Sequence, residues 1–211
     1  MADSSIGEAA GLHRSGKGLA LSVFEYLGVL LSVVIGLGVT HLLAGLSKTI
    51  HFRKTIRLYW VHTMWTINVL IYIVIIWWGM FWWSGLQDWS FFEFLLLTLY
   101  AIVLFLLASL LYPWELSTDF DFEVHFQETR PWFFAVLALA WLIDIPETVL
   151  KSDGGLRDLP QAYVLMVATQ LVMSAVGAIW PNRTFQGFFA VFWPVFTIGY
   201  VSVTTLVEIA N

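Results

Sequence analysis

The chain has 211 residues, of which 59% are hydrophobic and only 12% charged, with a mean hydropathy of +0.80 and a formal net charge of −5. Soluble domains carry roughly a quarter charged residues, so this composition belongs in lipid, and six spans of about 20 residues leave no length for a soluble catalytic domain. The small, dispersed negative charge implies no nucleic-acid partner, and the absence of cysteine removes disulfides, thiolate nucleophiles and iron–sulfur clusters.

Residues 1–18 are small, polar and rich in Gly and Ser, and read as a mobile tail. The apolar run that follows, 19–46, is longer than a signal-peptide core of about 7 to 15 residues, and a second span comes directly after it, so it reads as a retained helix. Within it Glu25, Gly28, Ser32, Gly36 and Thr40 recur every three or four residues and share one helix face. Such a small-residue face is either a helix-packing seam or the lining of a pathway, with Glu25 at one mouth, one to two turns inside the helix. A link from Ser47 to Arg57 holds four of the ten Lys and Arg residues. The second span, 58–83, carries Tyr59, Trp60 and Trp65 at one end and Trp77, Trp78, Trp82 and Trp83 at the other, the pattern of interfacial aromatic belts.

In three places, Ile35-Gly36-Leu37-Gly38-Val39-Thr40, Tyr59-Trp60-Val61-His62-Thr63-Met64-Trp65 and the pair Trp77-Trp78, the chain resembles a group of uncharacterised bacterial multi-span inner-membrane proteins. A weaker echo lies near His125. The resemblance covers mainly the first hairpin, implies a bacterial inner-membrane location and brings no activity with it.

After a turn at Gly85–Asp88 the third span, 90–112, is nearly all Leu and is stopped by Pro113. The next link is acidic, and Asp119 to Phe126 alternates polar with apolar, as a half-buried extended segment would; as a helix the same stretch would group Glu115, Asp119 and Glu123 on one side. Pro131 suits a first helical turn, so the fourth span is placed at 131–150, with Asp144, Pro146 and Glu147 predicting fraying or a kink at its far end. The fifth span, 159–180, offers Thr169, Gln170 and Ser174 as interhelical hydrogen bonders. The sixth, 184–206, has Pro194 near its middle, which frees a backbone carbonyl. The expected fold is an all-α integral membrane protein, a single six-transmembrane-helix bundle with short loops over 19–211.

Six spans put both termini on one side. The first, third and fifth links then share Lys48, Arg53, Lys54, Arg57, Arg130 and Arg183, six against the four of Arg14, Lys17, Lys151 and Arg157, which predicts non-cytoplasmic termini. The same side gathers four histidines, His41 and His62 near the ends of their spans and His51 and His125 in the links, with Asp121 and Glu123, suitable ligands for a divalent metal, although no H-x-x-x-H or H-E-x-x-H spacing occurs. Haem needs two histidines facing across the bundle, and the short connection between the first two spans favours packed contact instead.

Three functions fit these residues. The first is an oligomeric ion or solute channel or transporter using Glu25, Thr40, Asn68, Thr169 and Gln170 as intramembrane polar groups. The second is an accessory or assembly subunit of a larger membrane complex. The third is a metal- or haem-binding membrane protein or enzyme built on the His and carboxylate face, ranked last because no nucleophile stands out. The expected partners are membrane lipids and either further copies of the chain or another membrane protein.

Overall fold

The computed structural model describes residues 22–86, 88–115, 119–152 and 155–210. The expected N-terminal tail lies outside them. Six helices, α1 (Val23–His51), α2 (Trp60–Gly79), α3 (Phe91–Ser109), α4 (Phe122–Lys151), α5 (Gln161–Ile179) and α6 (Arg183–Ala210), are joined by short connections. α2 runs on as a 3-10 turn, Met80–Gly85, and a second 3-10 turn, Gly155–Asp158, precedes α5. Each of the six is long and apolar enough to cross a membrane. The starts of α1, α3 and α5 define one face, here the terminal face; the starts of α2, α4 and α6 define the opposite, link face.

Side-chain chemistry sets the starts. Ser22 accepts from the Glu25 amide while Glu25 accepts from the Ser22 amide at 2.8 Å, and Ser90 with Glu93 repeats this capping box at α3. Glu25 is therefore in the first turn of α1, not one to two turns inside the helix. At α4 the Asp121 side chain accepts from the Glu123 and Val124 amides at 2.9 and 3.2 Å. This cap starts α4 nine residues before the expected position, and Pro131 falls inside the helix. The cost is one missing backbone hydrogen bond near the link face. The alternating stretch keeps only a trace of extended pairing, a bridge in which the Arg57 amide donates to Phe120 O and the Phe122 amide to Arg57 O. At its other end α4 does not fray at Asp144–Glu147 but continues to Lys151.

The helices form a closed ring in which α1 packs chiefly on α3, α3 on α4, α4 on α5, α5 on α6, α6 on α2 and α2 on α1. The first two spans thus do not make a tight hairpin. The physical reason lies on α1, whose buried stripe of Leu27, Leu31, Ile35, Gly38, Leu42 and Gly45 faces α3. At Gly38 an added Cβ would stand 3.4 Å from the Phe105 Cα, and at Gly45 it would enter the Tyr112 ring. The bundle axis is filled with aromatic rings: Trp65 meets Phe133, Phe134 and Phe189 edge-on at 5.1 to 5.3 Å, and Trp193 lies beside it.

Candidate functional site

α4 carries Asp144 and Glu147 one turn apart, within the terminal-face half of its span. An ionisable group in hydrocarbon must be paired or hydrogen-bonded, and the neighbouring helices supply the donors. The Tyr100 hydroxyl on α3 donates to Asp144 Oδ1 at 2.9 Å, and the Tyr163 hydroxyl on α5 donates to Oδ2 at 2.8 Å. Tyr72 on α2 lies 3.0 Å from Tyr100, oxygen to oxygen. Because the Tyr100 proton is directed at Asp144, Tyr72 is the donor in that pair. Four helices thus converge on one carboxylate, in a chain that runs from Tyr163 near the terminal face to Tyr72 in mid-membrane.

Glu147 has different company. It accepts from Trp83 Nε1 at 2.9 Å and pairs with Lys151 Nζ at 2.5 Å. Lys151 also donates to Gly79 O at 3.2 Å and lies 5.8 Å from the Trp83 ring centre. The Lys151 ammonium is thus bound to Glu147. Among the described residues, Asp144 accepts from the two tyrosine hydroxyls and belongs to no ion pair. Both of its oxygens already accept O–H groups, a setting that suits loss and gain of a proton better than coordination of a metal cation.

The histidines singled out by sequence serve another purpose. The chain leaving α3 at the link face presents backbone carbonyls outside the helical ladder, and side chains of α1 and α2 reach them. His41 Nε2 reaches Tyr112 O at 3.0 Å and His62 Nε2 reaches Leu111 O at 2.7 Å, with Lys48 Nζ on Trp114 O at 3.4 Å. Buried Arg130 and Gln186 do the same for α5, both donating to Gly177 O, and Gln186 also to Trp180 O. With Lys151 on Gly79 O, where α2 passes into its 3-10 turn, side chains of neighbouring helices reach backbone carbonyls at the far ends of three helices. Tyr112, beside His62, has its phenol pushed up by burial and stays a neutral partner for the Thr66 hydroxyl at 3.2 Å.

His125 stands 6.5 Å, ring to ring, from His62, while Asp121 faces Arg57 at 3.6 Å and Glu123 faces Arg183 at 2.7 Å. Among the described residues no three His, Cys, Asp or Glu side chains are grouped to hold a metal ion. Axial ligation of haem by His41 and His62 would require both Nε2 atoms to leave the α3 carbonyls.

Ser32, Gly36 and Thr40 line a lateral groove between α1 and α2, and Glu25, Gly28 and Ser32 line its continuation toward the terminal face. An added Cβ at Gly28 or Gly36 meets nothing within 4 Å. Among the described residues, no side chain covers this face at Gly28 or Gly36. Sequence reasoning missed the Tyr72–Tyr100–Asp144–Tyr163 group, reading Asp144 as a fraying signal and passing over Tyr100. The available signal was the tyrosine itself, since a phenol in mid-span must find a polar partner.

The six long apolar helices define the class: an all-α, six-span integral membrane protein. No protein-family model matches the chain, and no curated protein or solved structure matches it.

Proposed function

We propose that the protein is a small ion-translocating membrane protein whose ion is the proton, taken up and released at Asp144. The observation that carries this reading is a spanning-segment carboxylate held by two tyrosine hydroxyls and by no ion pair among the described residues. Tyr163, Asp144, Tyr100 and Tyr72 form one hydrogen-bonded line, and further buried polar side chains of α2, Asn68, Thr66 and His62, lie between Tyr72 and the link face. Hydroxyl, carboxylate and imidazole groups pass protons between hydrogen-bonded neighbours, whereas the rings along the axis exclude a hydrated ion.

The test is proton flux into proteoliposomes under an imposed membrane potential, followed by an entrapped pH dye. The wild type is expected to carry protons and not sodium or potassium. Asp144→Asn is expected to reduce flux to the protein-free background, and Tyr100→Phe and Tyr163→Phe to slow it several-fold. Wild-type flux in Asp144→Asn liposomes would refute the reading.

A second reading, assembly with a further copy of the chain, is favoured by the uncovered face of Gly28, Ser32, Gly36 and Thr40. Small residues at this spacing let two backbones approach in lipid, and a two-fold axis along the membrane normal brings like faces together. Cross-linking between copies at position 32 tests it.

A further inference from the structure

A cavity of about 290 Å³ opens between α1 and α3 near the link face, lined among others by Leu37, Thr40, His41, Lys48, Phe105 and Trp114. Its two ends differ in chemistry. α1 and α3 run parallel, with Gly38 against Phe105 and Gly45 against Tyr112, so the 19 residues of α3, about 28 Å of helix, mark the hydrocarbon level on both. Leu37 and Phe105 lie inside that level. His41 lies at its boundary, and Lys48, two turns further along α1, lies about 10 Å beyond it, among the headgroups.

Lys48 belongs to none of the ion pairs among the described residues, and its acceptor there is the Trp114 carbonyl at 3.4 Å. The exposed Trp114 ring stands 4.9 Å from the His41 ring and walls the cavity at the interface. A cation outside the ion pairs of the described residues above, an aromatic wall at the interface and apolar side chains below match the order of groups along one phospholipid molecule.

We infer that this cavity is a binding site for an anionic phospholipid, its phosphate on Lys48 and an acyl chain against Leu37 and Phe105. The site is distinct from Asp144, on the other half of the bundle, and does not depend on proton transport.

The test is native mass spectrometry of the full chain released from nanodiscs of equimolar phosphatidylglycerol and phosphatidylcholine. The expected result is several-fold enrichment of bound phosphatidylglycerol, lost in Lys48→Gln and retained in Lys54→Gln, whose side chain does not line the cavity. Millimolar inorganic phosphate is expected to leave the bound lipid in place. A second measurement is quenching of tryptophan fluorescence by ring-proximal brominated phosphatidylglycerol, with a component absent from Trp114→Phe. Equal retention of the two lipids, equal losses in Lys48→Gln and Lys54→Gln, displacement by free phosphate, or identical quenching in Trp114→Phe would each overturn the inference.

Discussion

At position 45 one methyl group decides whether α1 and α3 can meet, because a Cβ there would overlap the Tyr112 ring at its root. Gly45→Ala is expected to destabilise the fold by about 1–3 kcal/mol through overpacking. Gly36→Ala, on the open face, is expected to be neutral or to stabilise by up to about 1 kcal/mol through helix propensity. Thermal unfolding of the two variants in one detergent checks the contrast, and equal losses would refute it. The sequence distinguishes these glycines poorly. Gly28 and Gly36 stand out by their regular spacing, while Gly38 and Gly45, which touch α3, are set apart only by which partner α1 chooses. His41 and His62 are ambiguous for a related reason: imidazoles near a helix end look alike whether they bind a metal or close a neighbour's carbonyls.

Within the elements, prolines and polar side chains are matched across helices. Pro194 has no N–H to offer the carbonyl four residues back, Ala190, and Asn68 Nδ2 donates to that oxygen at 2.8 Å. Asn68 is 1% exposed, so its replacement leaves the carbonyl without water. Asn68→Leu is expected to cost roughly 1–3 kcal/mol. In the Pro194→Ala background the helix supplies its own donor, and the same replacement is expected to cost clearly less. A double-mutant cycle read by denaturant or thermal unfolding measures this coupling; strictly additive losses would exclude it. The six spans themselves were legible in the sequence, since length and hydropathy depend on each segment alone. The start of α4 was not, because the Asp121 cap and the Pro131 signal compete, and only the folded chain shows which prevails. The partner of Pro194's freed carbonyl was also hidden, being set by the contact of α2 with α6.

For the whole molecule, the ring of helices separates three environments: a core filled by rings, a carboxylate centre in the terminal-face half, and a lateral groove on α1. The architecture followed from composition, but the carboxylate centre arises only where α2, α3, α4 and α5 meet, a juxtaposition that no single segment encodes. The chain has no cysteine, so a single Ser32→Cys substitution reports on assembly without background. Copies meeting through the α1 face are expected to form a disulfide-linked dimer in membranes under mild oxidation. Val33→Cys, turned toward a different side of α1, is expected to give much less. Equal yields at the two positions would indicate random collision.

The side-chain closure of helix ends also bears on how translation delivers this protein to the membrane. The groups that close α3, His41 and His62, leave the ribosome before α3 does, so that helix meets its partners as it emerges. The Gly79 carbonyl, where α2 passes into its 3-10 turn, gains its side-chain donor from Lys151, 72 residues later. That contact at the terminal face therefore forms only once α3 and α4 have been made.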